Sequence, residues 1–272
     1  MRLGMTPTGV AVEIGGALYA LDTEADLTTL IESGTKVDDI PRRERLPTDA
    51  LLAPLRPRQI VAIGLNYLDH IKESGVETPK SPLIFAKLPS SVIGPGGSVI
   101  VDSALTERVD WEAELAVVIG RPMRNVARSQ ALDYVFGYAA ANDISARDLQ
   151  FGDGQWVRGK SLDTFCPIGP VVVTADEIPN PQSLVLTTRV NEHTVQASNT
   201  AMMVFGVAEI LEHCSRHFTL EPGDLVLTGT PWGCGEFMSP PQHLHPGDVV
   251  EVEVERIGRL RNFVVGPPCG AS

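Results

Sequence analysis

The sequence predicts a mostly β fold, a mixed β-sandwich or roll with a few helices, behind a small α+β N-terminal domain. Three observations carry this. Short apolar runs recur after about residue 58: QIVAIGLN, SPLIFAKLP, GSVIV, WEAELAVVIG, CPIGPVVVT, SLVLTTRVN, DLVLTGTP and DVVEVEVERIG. Each has strand length and ends at turn residues. The runs are not separated by regular helical patterns, which argues against a doubly wound sheet. Two Pro-Gly turns, in LEPGDLV from Leu220 and LHPGDVV from Leu244, each launch one of these runs. Proline sets φ there, and glycine takes the positive φ of a type II turn.

The elements follow in order. GVAVEIGGALYALD is two β-type runs around Gly15-Gly16, a hairpin signal. In DLTTLIESG, Asp26 caps a short helix and Gly34 ends it. KVDDIPRRERLPTDA is polar, carries two prolines and reads as a linker. The expected division is therefore a small domain at 1–50 and a main domain at 51–272. ARSQALDYVFG is expected to be a short helix stopped near Gly137. A longer helix is expected from Ala201 to about His217, capped by Thr200, because Val204, Val207, Leu211 and Cys214 form one apolar face.

Composition excludes several function classes. With 43% hydrophobic and 21% charged residues, the 272-residue chain has the material for a sizeable core. A formal net charge of −12 argues against nucleic acid or an anionic membrane as partner. The first residues, MRLGMTPTGVAVEIGG, lack the apolar segment of a signal peptide, and no run approaches a membrane span. Cys166, Cys214, Cys234 and Cys269 are far apart and form no CxxC pair, so zinc held by thiolates is not expected. Scattered free thiols fit a reducing cytoplasm, the expected location. GPGG and GTPWGCG match neither a P-loop nor GxGxxG before a helix, so no nucleotide cradle is expected.

The chemistry begins in VDWEAELAVVIG, residues 109–120. Glu112 and Glu114 are two apart at the start of an apolar strand, so both point the same way. Unpaired buried like charges are costly. A shared divalent cation would turn the repulsion into coordination, and oxygen-only ligands suit Mg²⁺, Mn²⁺ or Ca²⁺. Asp143, in YAAANDISARDLQ, is a third carboxylate at the end of another apolar run. The bland alternative is a solvated edge with both glutamates paired to arginines. In GLNYLDHIKESG, His70 and Glu73 lie three apart on a short helix from about Tyr67 to Ser74. A carboxylate beside an imidazole orients it as a general base on water. The bland alternative there is an exposed pair of little energetic weight.

Seven segments in order over about residues 58–265 resemble the fumarylacetoacetate hydrolase family: GLNYLDHIKE, PLIFAKLPSSVIGPG, VDWEAELAVVIG, ANDISARDLQ, GKSLDTFCPIGP, LTGTPWGCG and LHPGDVVEVEVERIGRLRN. The resemblance implies a β-sandwich roll, a homodimer and one Mg²⁺ or Mn²⁺ per subunit. It implies Glu112, Glu114 and Asp143 as metal ligands, and His70 with Glu73 as a water-activating dyad on a lid. Lys160, Arg147, Gln150 and Thr230 match its substrate-site positions, and Tyr67 lines the pocket. Lys160 would place charge on a developing enolate oxygen, and Arg147 would pair with a substrate carboxylate. Cys166 and Cys234 stand where the family carries small or aliphatic residues.

The activity this implies is metal-dependent hydrolysis of a C–C bond in a 2,4-diketo acid of the acylpyruvate or fumarylpyruvate type, through a metal-stabilised enolate. Decarboxylation of an oxaloacetate-type acid, or isomerisation of a hydroxy-dienedioate, uses the same enolate and stands as the alternative. A non-catalytic, ligand-binding member is a third class; filled catalytic positions weigh against it.

Overall fold

The computed structural model describes residues 1–152 and 154–268, so Cys269 lies outside the described residues. Strands dominate, as expected. Among the described residues they form three sheets. The largest runs in the order Arg42–Leu46, Ala17–Leu21, Gly9–Ile14, Arg2–Thr6, Cys166–Thr174, Val135–Asn142, Ala113–Ile119, Leu225–Leu227, Ile60–Gly64, Leu83–Lys87. The second holds His193–Asn199, Val185–Val190, Val249–Val254, Gly258–Val265 and Ser98–Ile100. A short ribbon pairs Val109–Asp110 with Ser145–Ala146.

The central strand Ala113–Ile119 is buried at every position. Leu115, Val117 and Ile119 pack with Leu186, Val252 and Val254 of the second sheet and with Ile210 and Leu211 of a helix. Ala116 and Val118 face the other way, towards Leu27, Leu30 and Ile31. Both faces being covered, the strand reads as a continuous apolar run rather than an alternating one.

The first residues join this sheet directly. Arg2 and Leu3 pair antiparallel with Val173 and Val172. The Gly15-Gly16 hairpin forms, both glycines at positive φ. Asp26 Oδ1 accepts from Thr29 N, and Gly34 closes the helix Leu27–Ser33 at φ 65°. Part of the expected linker, Arg42–Leu46, is instead an edge strand. Its residues are exposed almost throughout, and charged side chains are the usual protection of a sheet edge.

Two helix expectations are corrected. The long helix is Val207–His217, with Gly206 at its N-cap. Thr200 starts a separate 3₁₀ turn, and its hydroxyl accepts from Leu184 N instead of capping the helix. ARSQALDYVFG is a 3₁₀ segment, Arg128–Tyr134, followed by the strand Val135–Asn142. Gly137 lies inside that strand. A Cβ there would meet Val173 O at 2.3 Å, so this glycine serves close strand approach rather than helix termination.

Candidate active site

Two neighbouring strand ends bring the acidic residues together. Ala113 pairs with Asn142 and Glu114 with Ala141. Glu112 and Asp143 therefore sit side by side just beyond the paired ends. Asp143 N donates to Glu112 O at 2.9 Å, and Glu112 N donates to Asn142 Oδ1 at 2.9 Å. On the other flank Leu225–Leu227 pairs with Ala116–Val118 and leads into TGTP. There Gly229 N donates to Glu114 Oε2 at 2.7 Å. Gly229 has φ +97°, and a Cβ on it would meet Asn66 Cβ at 2.8 Å, so a side chain would disturb the amide that Glu114 needs.

Each of Glu112, Glu114 and Asp143 offers an oxygen within 4.8 Å of the others, and all three are buried. The solvated-edge alternative therefore fails. Two lysines answer part of the charge. Lys160 Nζ, at the end of the short helix Trp156–Lys160, lies 2.7 Å from Glu112 Oε2 and 2.8 Å from Asp143 Oδ2. Lys87 Nζ, from the strand Leu83–Lys87, lies 2.6 Å from Asp143 Oδ1.

Arg147 opens the helix Arg147–Gly152 and is 2% exposed. Its Nη1 is 2.7 Å from Glu112 Oε1 and donates to Gln150 Oε1 at 2.9 Å. Its Nε donates to Asp110 Oδ2 at 2.9 Å. The guanidinium is thus turned on protein carboxylates as well as lining the cavity.

The electrostatics separate the two glutamates. Burial alone would raise the Glu112 carboxyl; the Lys160 and Arg147 charges outweigh it and hold it at about 2. Burial raises Glu114 well above the ordinary carboxylate range, and Asp143 and Glu112 push it further. Glu114 has the Gly229 amide for a partner, but no ion pair to it is found among the described residues. The Tyr67 hydroxyl is buried without a hydrogen-bond partner among those residues, and burial and the Glu114 charge push it up.

These features fit a divalent cation. Three hard oxygen ligands converge, one of them is held back from ionisation by burial and by its like-charged neighbours, and an orphaned hydroxyl lies within its electrostatic reach. Glu112, Glu114 and Asp143 would hold it.

His70 and Glu73 lie on the helix Leu68–Ser74, with His70 Nδ1 3.2 Å from Glu73 Oε2. Glu73 Oε1 accepts from Gly233 N at 2.9 Å. The Phe237 ring meets the imidazole edge-on at 5.4 Å. His70 is 5% exposed, so the pair is not a solvated helical one.

A cavity of ≈180 Å³ connects these groups. His70, Glu112, Arg147, Gln150, Lys160 and Thr230 line it, and Ile63, Phe85, Trp156 and Phe237 supply apolar wall. Tyr67, Glu73, Glu114 and Asp143 lie behind that lining.

Several site residues escape a reading of the sequence. Asp110 accepts from Arg147, Gly235 N and Glu236 N, joining the arginine to the TGTPWGCG loop. Its signal was the i, i+2, i+4 series with Glu112 and Glu114. Gln196 Nε2 donates to Thr230 Oγ1 at 3.0 Å, and its Oε1 accepts from Ala113 N at 2.9 Å. Lys87 is a further addition and carries no local sequence signal; Cys234, marked in the sequence only as a departure from the family's small or aliphatic residue, lies 4.0 Å from His70 Nδ1.

Residues 59–265 match the model of the fumarylacetoacetate (FAA) hydrolase C-terminal family. The chain belongs to the fumarylacetoacetate hydrolase family. Family membership makes this an enzyme fold whose relatives differ in reaction. The mitochondrial oxaloacetate tautomerase Fahd2a of Rattus norvegicus is 42% identical, over 94% of this chain and 87% of its own. A fumarylacetoacetate hydrolase from psychrophilic Exiguobacterium antarcticum is 39% identical with a TM-score of 0.88, covering 98% of this chain and 100% of its own. A 2-hydroxyhepta-2,4-diene-1,7-dioate isomerase from Mycobacterium marinum is 36% identical with a TM-score of 0.77, covering 98% of each chain. Among the described residues, no helix is long and apolar enough to cross a membrane.

Proposed function

We propose that the chain is a Mg²⁺- or Mn²⁺-dependent enzyme that interconverts the keto and enol forms of a small 2-oxo diacid of the oxaloacetate class. The observation that carries this is the cavity. At ≈180 Å³ it is smaller than the roughly 300–1,000 Å³ typical of drug-sized ligands, yet it joins the carboxylate cluster, Lys160 and His70. The oxaloacetate tautomerase relative supports the same substrate class.

When bound by Glu112, Glu114 and Asp143, a divalent cation supplies Lewis acidity that lowers the cost of negative charge on a carbonyl oxygen. Lys160 adds fixed positive charge on the cavity wall, beside Glu112 and Asp143. His70 Nδ1–H donates to Glu73, which fixes the tautomer and leaves Nε2 as the basic nitrogen. Nε2 takes a proton from the carbon between the carbonyl and the distal carboxylate, and returns a proton to the oxygen. Arg147 holds Glu112 and Gln150 in place. Phe85, Trp156 and Phe237 keep bulk water from the carbanionic carbon.

The second reading is hydrolysis of a 2,4-diketo acid. The His70–Glu73 dyad favours it, because the same imidazole can deprotonate a water. Decarboxylation of oxaloacetate rests on the same enolate without that water. Specificity constants for oxaloacetate, acetylpyruvate and fumarylpyruvate with Mg²⁺ separate the readings. Tautomerisation of oxaloacetate should lead by at least about tenfold, one step of roughly 1.4 kcal/mol. Faster cleavage of either diketo acid would replace this reading with the hydrolase.

The homodimer belongs to the same proposal. Leu83, 40% exposed, opens the terminal strand Leu83–Lys87 of the large sheet, and Leu88, 50% exposed, follows it, so the two offer an apolar edge. A monomer mass by sedimentation at micromolar concentration would rule it out.

A further inference from the structure

We infer that His70, Glu73 and Cys234 form a second metal site, one that takes Zn²⁺ rather than Mg²⁺. One ligand atom from each lies within 4.8 Å of the other two. His70 Nδ1 is 3.2 Å from Glu73 Oε2 and 4.0 Å from Cys234 Sγ. Tetrahedral zinc, with Zn–N and Zn–O near 2.0 Å and Zn–S near 2.3 Å, puts nitrogen and oxygen about 3.3 Å apart and nitrogen and sulfur about 3.6 Å apart. The observed spacings therefore need only small side-chain adjustments.

The donor set separates this site from the carboxylate cluster. Glu112, Glu114 and Asp143 offer oxygens alone, which suit hard ions. An imidazole, a carboxylate and a thiolate suit a borderline-soft ion. His70 and Cys234 are buried, and Glu73 is half-buried. The ligands are also braced. Glu73 Oε1 accepts from Gly233 N, and the Phe237 ring packs on His70. Burial and the nearby Glu112 and Asp110 charges hold the thiol protonated. A divalent cation bound there displaces that proton. Thiolate and Glu73 together then balance its charge.

Cysteine spacing gives no sign of this site, because it holds one thiol and not a pair. Here the three ligands span 164 residues and three residue types, and only the fold assembles them.

The proton count gives the consequence for turnover, and this part rests on the proposed role of His70. Zinc takes the Nδ1 lone pair, so the ring proton moves to Nε2, and the thiol proton leaves to solvent. The nitrogen that would act as base is then capped. Zn²⁺ should stop turnover while Mg²⁺ stays bound.

The test is Co²⁺, a spectroscopic stand-in for zinc, added to the Mg²⁺-loaded protein without substrate. One equivalent should give a sulfur-to-cobalt charge-transfer band. Cys234→Ser should abolish that band. Glu73→Gln, which keeps the thiol, should weaken Co²⁺ binding by about tenfold or more. Absence of a sulfur band, or a band unchanged in both variants, would overturn the inference. If Cys234→Ser does not fold, the Glu73→Gln titration decides alone. The spectrum needs no turnover, so its failure is distinct from failure of the tautomerase reading.

Discussion

Lys87 Nζ donates to Asp143 Oδ1 at 2.6 Å, with both side chains fully excluded from solvent. The same ammonium donates to the carbonyl of Lys160. One lysine therefore ties a strand end, a candidate metal ligand and the short helix that carries Lys160. Removing one partner of a buried ion pair typically costs about 3–5 kcal/mol, because the other charge stays behind. Lys87→Met should lose that much in denaturant unfolding of the metal-free protein. A loss below about 1 kcal/mol would show that Asp143 does not depend on Lys87.

The two glutamates should respond oppositely to mutation. Glu112 sits at about 2, below its ordinary 4.5. Its ionised form therefore stabilises the fold above pH 4.5, and that contribution is lost as pH falls from 4.5 towards 2. Glu112→Gln should be destabilised at pH 7, and the gap to the parent should close over that window. Glu114 is raised, so its ionised form is the disfavoured one in the folded protein, and the cost grows as pH rises above its ordinary value. Glu114→Gln should raise metal-free stability at pH 7 by about 0.5–2 kcal/mol. It should also lose the melting-temperature gain that Mg²⁺ gives the parent. Destabilisation of Glu114→Gln without metal would contradict the assigned electrostatics.

Much of this site was legible because its residues lie at ends of apolar runs. Glu112 and Glu114 stand at the start of one visible apolar strand and Asp143 just past the end of another, and period-two geometry puts the first two on one face. His70 and Glu73 are one helical turn apart. What escaped was set by distant pairing. Gly137 looked like a helix stop, but its meaning is contact with Val173 on a neighbouring strand. Arg42–Leu46 looked like a linker because both its faces are exposed. Lys87 and Gln196 are lone polar residues whose partners lie far along the chain. Thr200 fits a helix cap by type, yet the helix starts at Gly206.

His70 should matter for turnover rather than for metal binding. His70→Ala should lower kcat by about 10²–10⁴-fold, the usual worth of a positioned base, with the Mg²⁺-induced rise in melting temperature retained. Glu73→Gln should fall less far, because the imidazole remains but its tautomer is no longer fixed. An unchanged kcat in His70→Ala would remove the dyad from the mechanism.

The most direct measurement follows enol absorbance and pyruvate together after the enol of oxaloacetate is mixed with Mg²⁺-loaded protein. Loss of enol should be accelerated with no pyruvate formed, and the acceleration should be abolished in His70→Ala and absent without metal. Pyruvate appearing in step with enol loss would mean that a carbon–carbon bond breaks, and would contradict the tautomerase.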